Sequence, residues 1–406
     1  MNQTNIKTSI SDRDLQNEFV SNVHRFAAEV MRPIGQELDR MHDPADVIAA
    51  GSPLWEAFER YRQLDISSLR LPQADWDPVD QAIFNARISE EFGWGDSGLA
   101  ISFGVANFHK TFAALTEDLE LADRYLTENS TEIGCWAITE ADHGSDSLAF
   151  TQPHWNDGNV RANVIATRDG DDYIINGSKS AWVSNGTIAT VATLYCTIDG
   201  DKGFAHGGVA VVPLDLPGVS RGKPLDKLGQ RALNQGEIHF DQVRIPGRYM
   251  VVSPELYTTA VETILTGANA SMGCTFVGTA RAGYELALDY AKNRTQGGKP
   301  ITEHQSVQSR MFSMFARVEA ARALARQTVA LNATEPPGLV QRSIASKTFS
   351  TRTAFEVNSD AIQIFGGNGL TREYPIEKIM RDARASMIED GCNDLLAIIG
   401  GQKLFQ

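Results

Sequence analysis

Thr167-Arg-Asp-Gly-Asp-Asp-Tyr-Ile-Ile-Asn-Gly-Ser-Lys-Ser-Ala-Trp-Val-Ser-Asn-Gly186 interrupts a chain whose pattern is otherwise helical. Tyr173–Ile175 is a short β-type run between two turn signals, Asp169-Gly170-Asp171 and Asn176-Gly177, and Asn185-Gly186 adds a third. Similar runs continue on both sides. Val160–Thr167 precedes, and Thr190–Thr197, Val209–Pro213 and Glu237–Phe240 follow, with Pro217-Gly218 before the last. Runs of this length, punctuated by Gly, Pro, Asn and Asp, predict an antiparallel β-barrel or sandwich over residues 135–250.

On either side the period changes from two to that of a helix. Leu15, Phe19, Val23, Phe26, Val30 and Ile34 recur at helical spacing, with Ser11 and Asp14 as a capping pair. From Pro78 to Phe112 the chain is rich in Ala, Ile, Leu and Phe, with Gly93 and Gly95 as breaks. Beyond Pro246, helices are expected over Pro254–Arg294, Gln305–Thr334 and Leu339–Phe365, with a last one after Gly391. Glu335-Pro336-Pro337-Gly338 separates two of them. The expectation is an α+β multidomain chain: an N-terminal helical domain (1–134), a β domain (135–250) and a C-terminal four-helix bundle (251–406).

Composition narrows the function. The chain has 406 residues, 42% hydrophobic and 22% charged, which is enough for several cores. A formal net charge of -14 argues against a nucleic-acid groove, which needs a basic face. The four cysteines, Cys135, Cys196, Cys274 and Cys392, are scattered without metal spacing and fit free thiols in a reducing compartment. The N-terminus has no apolar leader, and no window approaches the run of about 18 apolar residues of a membrane span. A cytoplasmic protein without metal or membrane partner is expected.

Trp136-Ala-Ile-Thr-Glu-Ala-Asp-His-Gly-Ser-Asp146 lies where helix gives way to strand. By themselves, Thr139 and Ser145 read equally as turn and cap residues. The order Thr139-Glu140, a short gap, then Gly144-Ser145-Asp146 nevertheless resembles the first signature of the acyl-CoA dehydrogenase family. Gly177-Ser-Lys-Ser-Ala-Trp-Val-Ser-Asn-Gly186 resembles a second family stretch. Arg294-Thr-Gln-Gly-Gly-Lys-Pro, followed by His304-Gln305, resembles a third. Gln363-Ile-Phe-Gly-Gly-Asn-Gly369, with Lys378 and Arg381-Asp382 beyond, is similar to the second signature. The resemblance implies FAD as cofactor. It places Trp136, Ile138, Thr139, Ser145, Trp182 and Ser184 at the flavin. It further assigns Arg294, Gln296, His304, Gln305, Gln363, Gly366 and Gly367 to the FAD of a neighbouring subunit, in a homodimer or homotetramer. Where the family has Phe in its Arg loop, this chain has Gly297. The N-terminal family loop is reduced to Leu71-Pro72-Gln-Ala-Asp75.

In that family a carboxylate removes the α-proton of an acyl thioester while a hydride leaves the β carbon. An ungapped count from Arg381-Asp382 puts the family's base on Asp390, within Glu389-Asp390-Gly391-Cys392. The base is therefore Asp rather than Glu, with Glu389 as the alternative, and a solvated acidic turn as the reading without function. Cys392 stands where a flavin-bonding Thr is expected, and Asp394 is also assigned to the cofactor. Ser145, Asn269 and Gly391 are assigned to the substrate. Asn269 occupies a position often filled by Arg, and Ala268 one that carries an alternative Glu base in some members. The resemblance implies desaturation of an acyl-CoA or acyl-carrier-protein thioester, with electrons passing to an acceptor such as an electron-transfer flavoprotein. Two rivals stay open. A nitroalkane-oxidase-like enzyme also uses Asp, but pairs it with an Arg where this chain has Ala397. A catalytically silent FAD-binding subunit of a heteromer would tolerate every one of these departures.

Overall fold

The computed structural model describes residues 12–64, 76–114, 116, 118–127, 130–200 and 202–406. The expected Ser11–Asp14 cap and the Leu71–Asp75 loop lie outside them. Helices α1 (Asp12–Phe26) and α2 (Arg32–Arg40) join through a π turn. Then come α3 (Pro53–Gln63), α4 (Pro78–Gly95) and α5 (Ser97–Ala106). Ser52, Asp77 and Asp96 cap α3, α4 and α5 through their side-chain oxygens. Val23, Phe26, Val30 and Ile34 are buried as their spacing predicts, whereas Leu15 is exposed. Gly93 does not break α4. A Cβ there would lie 1.7 Å from the carbonyl oxygen of Thr275, so the glycine permits backbone contact between helices.

The middle region is one sheet of β1 (Gly134–Ala137), β2 (Ile165–Asp169), β3 (Asp172–Lys179), β4 (Val191–Ile198), β5 (Gly207–Pro213), β6 (Val219–Arg221), β7 (Ile238–Pro246) and β8 (Met250–Val252). The order is β6-β7-β3-β2-β4-β5-β8, with β1 beside β4. Of the expected antiparallel barrel or sandwich, the barrel is not realised, and the sheet is mixed rather than wholly antiparallel. The end strands β6 and β8 are three residues long and pair only with β7 and β5, so nothing closes the sheet. Strands β1 and β2 both run parallel to β4. Asn176-Gly177 is also not a turn. It is a bulge inside β3, where the register to β7 shifts and Asn176 Oδ1 accepts from the backbone N–H of Gln242 at 2.9 Å.

The C-terminal bundle comprises α6 (Pro254–Asn293), α7 (Gln305–Thr334), α8 (Val340–Phe365) and α10 (Asn393–Lys403). A shorter helix, α9 (Ile376–Ala385), was not expected from sequence. Helix α6 is the spine, packing on α4, α7 and α8. Its small residues set the spacing: Gly273 faces Ser346 of α8, and Gly278 faces the backbone of Glu90 in α4. Glu90 is itself buried and pairs with Arg281 (2.8 Å), Arg322 (3.0 Å) and Arg326 (3.2 Å), tying α4 to α6 and α7. No helix among the described residues is long and apolar enough to cross a membrane.

A Cβ on Gly278 would sit 1.9 Å from the Glu90 carbonyl oxygen, so α4 and α6 must separate to admit it. Gly278→Ala should destabilise the fold by about 1–3 kcal/mol, despite alanine's better helix propensity. Urea denaturation checks this; an unchanged or higher midpoint contradicts the close packing.

Candidate active site

The turn from Glu389 to Asn393 joins α9 to α10 and is held from three directions. Asn269 Nδ2 of α6 donates to the carbonyl of Asp390 at 3.4 Å. Lys347 Nζ of α8 donates to the carbonyl of Gly391 at 2.8 Å and to Asn393 Oδ1 at 2.9 Å. From the β region, Ser145 Oγ accepts from the backbone N–H of Cys392 at 2.9 Å. The turn thus joins residues of α6 and α8 to a motif that lies 247 positions earlier in the chain. Asp390 and Gly391 both have positive φ, 52° and 91°. That conformation costs a non-glycine residue about 1–3 kcal/mol and is sustained here by the surrounding bonds.

The two acids of the turn differ. Glu389 Oε1 accepts from Gln230 Nε2 at 2.5 Å. Among the described residues, no donor reaches the Asp390 carboxylate and no acceptor takes its backbone N–H. Burial pushes the Asp390 carboxyl up to about 6, against the opposing pull of Lys347. Burial also raises Glu389, with the charge of Asp390 adding to it. An ionised, unencumbered carboxylate with a pKa just below neutrality is what a general base requires.

Gln230 connects this turn to a buried ionic cluster. Its backbone N–H donates to Asp382, and Lys378 Nζ bridges Asp382 and Asp96, each at 2.5 Å. Burial alone would lower Lys378, but Asp382 and Asp96 raise it overall. Arg381 next door pairs with Asp39 of α2 at 2.7 Å and donates to the carbonyl of Leu228. The Lys378, Arg381 and Asp382 of the signature therefore bind the three regions of the chain together beside the Glu389–Asn393 turn.

The sheet supplies a second set. Ser184 lies between Trp136 and Gln235 in two antiparallel bridges. Gln235 Nε2 donates to the carbonyl of Trp182 at 3.1 Å and approaches Ser184 Oγ at 3.4 Å, while its Oε1 accepts from Lys227 Nζ at 2.8 Å. Thr139 is tied in by the Ser180 N–H, which donates to its carbonyl at 3.0 Å. The Thr139 loop is anchored by Glu140 and Lys179, a fully buried pair at 2.5 Å; Glu140 also accepts from the backbone of Val164 at 3.0 Å. Trp136 and Ile138 are buried, with Trp136 stacked on Phe108. Trp182 is 56% exposed. A large indole left open beside a serine hydroxyl fits a flat ring system docking on this face.

The remaining assigned residues gather elsewhere. Arg294 caps α6, and its exposed loop is a hairpin turning on Gly297 and Gly298 at φ 65° and 77°. A type I′ turn demands positive φ at both positions, which explains glycine where the family has Phe. His304 hydrogen-bonds the carbonyl of Gln296 at 3.0 Å, and Gln305 begins α7. Gln363 is exposed in the last turn of α8, and a Cβ on Gly366 or Gly367 would meet nothing within 4 Å. That cradle is open to a ligand, and Asn368 bonds Tyr290 of α6 at 3.0 Å to hold it. Asn269 and Arg294 are about 38 Å apart along α6, at 1.5 Å per residue. The Arg294 and Gly366 loops therefore do not reach this chain's own Glu389–Asn393 turn. Asp394, exposed in the first turn of α10, makes no hydrogen bond among the described residues.

Lys347, Lys227 and Gln235 were not singled out by sequence, and Glu140 and Lys179 stood in separate motifs without being read as a pair. Only Lys347 carried a readable signal: it shares the buried face Val340, Ile344, Thr351, Ala354, where a lysine is out of place.

Comparison with known proteins agrees with this geometry. Residues 135–243 match the acyl-CoA dehydrogenase middle domain and residues 258–405 the acyl-CoA dehydrogenase C-terminal domain. The probable acyl-CoA dehydrogenase fadE25 of Mycobacterium leprae is 28% identical over 394 residues, covering 96% of this chain and 95% of that one. The structure of butyryl-CoA dehydrogenase from Megasphaera elsdenii superposes with a TM-score of 0.83 at 24% identity, covering 99% of this chain and 100% of that one. The prolyl acyl carrier protein oxidase AnaB has the same fold, with a TM-score of 0.83 at 20% identity over 98% of this chain and 100% of that one. By its two matched domains and its architecture, the chain belongs to the acyl-CoA dehydrogenase family of FAD-dependent oxidoreductases.

Proposed function

We propose that this chain oxidises an acyl thioester, carried on CoA or on acyl-carrier protein, to its α,β-unsaturated form, with Asp390 taking the α-proton. The observation that carries this reading is the free Asp390 carboxylate beside its own free N–H, in a turn fixed by Asn269, Lys347 and Ser145. The N–H is placed to donate to the thioester carbonyl, where negative charge develops as the α-proton leaves. The carboxylate of the same residue is then beside the α carbon. FAD, when bound, supplies the hydride acceptor. Trp182 offers it an apolar face, Thr139, Ser145 and Ser184 offer hydroxyls, and the open glycines at Gly366 and Gly367 leave room for backbone contact. Electrons then leave for an external acceptor of the electron-transfer flavoprotein kind.

The separation of Arg294 from the base turn supports a site completed by a second copy of the chain. In that arrangement Arg294, Gln296, His304, Gln305, Gln363, Gly366 and Gly367 serve the partner's FAD. The exposed guanidinium of Arg294 suits a pyrophosphate.

Anaerobic bleaching of the flavin band against a panel of acyl thioesters tests the reaction. Asp390→Asn should keep FAD yet bleach at least about a hundredfold more slowly, while Glu389→Gln does little. A swap of the two phenotypes makes Glu389 the base. Bleaching by no thioester returns the silent subunit, and oxygen consumption with peroxide release returns the oxidase. The wild-type rate should fall about tenfold per pH unit below about 6, as the Asp390 carboxyl takes up its proton. Arg294→Ala should lose FAD affinity by at least about tenfold, the value of one charge-assisted contact. Fluorescence titration of the apoprotein with FAD measures it, and a stable monomer with normal affinity contradicts the shared site.

A further inference from the structure

The base turn contains a buried cation that the reaction described above does not use. Lys347 has no solvent exposure, yet among the described residues its ammonium contacts only neutral acceptors, the Gly391 carbonyl and Asn393 Oδ1. Two other buried lysines of this chain are satisfied differently. Lys179 meets Glu140 at 2.5 Å, and Lys378 meets both Asp96 and Asp382 at 2.5 Å. A buried ammonium without a carboxylate in contact is a costly way to hold a loop, and an apolar residue or a glutamine would be cheaper. Its location removes the puzzle. Lys347 grips the carbonyl of Gly391, the residue after Asp390, from the helix behind it.

We propose that Lys347 is a positioning residue for the Asp390 base: it clamps the turn in its left-handed conformation and supplies the positive field in which the Asp390 carboxylate works. This rests on the reading of Asp390 as base. The clamp acts through geometry, since Gly391 and Asn393 flank Cys392, whose N–H is held by Ser145. The field acts through space. The charged and titratable groups that face it are Asp390, Glu389 and Cys392 on the turn itself and Lys227 from the sheet region, beside Glu389. Helix α6 brings the neutral Asn269 to the turn, and α8 adds the neutral Thr351. Among these, Lys347 is the group that pulls Asp390 toward its ionised form. Burial holds Lys347 itself down to about 8, with Asp390, Glu389 and Cys392 opposing that. The field therefore weakens in alkali as the amine loses its proton.

Three variants of the full-length holoprotein separate clamp from charge. Lys347→Arg keeps the charge, Lys347→Gln keeps a neutral donor, and Lys347→Met removes both. The acid limb of the bleaching-rate profile should move up by about one pH unit in Lys347→Gln and Lys347→Met, so that the rate drops about fivefold at pH 6, about tenfold at pH 5 and below, and recovers above pH 8. Lys347→Arg should keep the wild-type limb. The infrared C=O band of protonated Asp390, isolated as the difference from Asp390→Asn protein, should titrate with the same shift and needs no turnover. If Lys347→Met does not fold, Lys347→Gln with the infrared titration still decides. A wild-type acid limb and wild-type band in the neutral variants overturn the proposal and leave Lys347 a packing residue. If the wild type bleaches with no thioester, the reaction assignment falls, while the band still reports whether Lys347 governs Asp390.

Discussion

Asp382 is the point on which the three regions of the chain converge. Its carboxylate takes the backbone N–H of Gln230 from the sheet region and the ammonium of Lys378, which also reaches Asp96 at the cap of α5. Every member of the cluster is buried. Two acids and one lysine out of water are stable only if each lone pair and proton finds its partner, and loss of one member strands the others. That intolerance is useful for alignment. An apolar contact at the same junction would permit sliding, whereas a closed set of charged hydrogen bonds has a single geometry.

From this junction the constraint travels a short way to the chemistry. Gln230 receives Asp382 at its backbone and gives its side-chain amide to Glu389. Glu389 is thereby occupied, and its neighbour Asp390, at φ 52°, is turned away with a free carboxylate. Adjacent acids in one turn acquire different roles because one has a partner and the other has none. The strain at Asp390 is borne by bonds to its flanking peptides, which leave its carboxylate unencumbered.

The sheet side follows the same logic with different parts. The Glu140–Lys179 pair satisfies backbone donors that would otherwise be buried without partners, and so fixes the loop bearing Thr139. Lys227 orients the amide of Gln235, and Gln235 in turn reaches the turn segment that carries Trp182 and Ser184. Trp182 is left exposed, whereas the Glu140–Lys179 pair behind the Thr139 loop is buried.

Much of this was legible in the sequence. The switch of hydrophobic period from helix to strand and back located the helical regions, because burial of one face imposes periodicity wherever an element lies. The ordered motifs pointed to Asp390, Ser145 and the Arg294 loop as candidates, since local sequence can carry a short geometry. What sequence could not supply was anything set by distant partners. The Asn176-Gly177 signal reads as a turn, yet pairing with β7 makes it a bulge. Gly93 reads as a helix break, yet the carbonyl of Thr275 makes it a helix contact. Whether the sheet closes depends on strands pairing across long separations, and whether Glu389 or Asp390 is free depends on Gln230, 159 positions away. The sequence by itself determined element type and the chemical inventory of the site, because those follow from local propensity and residue identity. The tertiary structure alone decided which acid is free, which lysine faces it and which loops lie beyond this chain's own site, because each is a matter of which side chain of another element arrives within hydrogen-bonding reach.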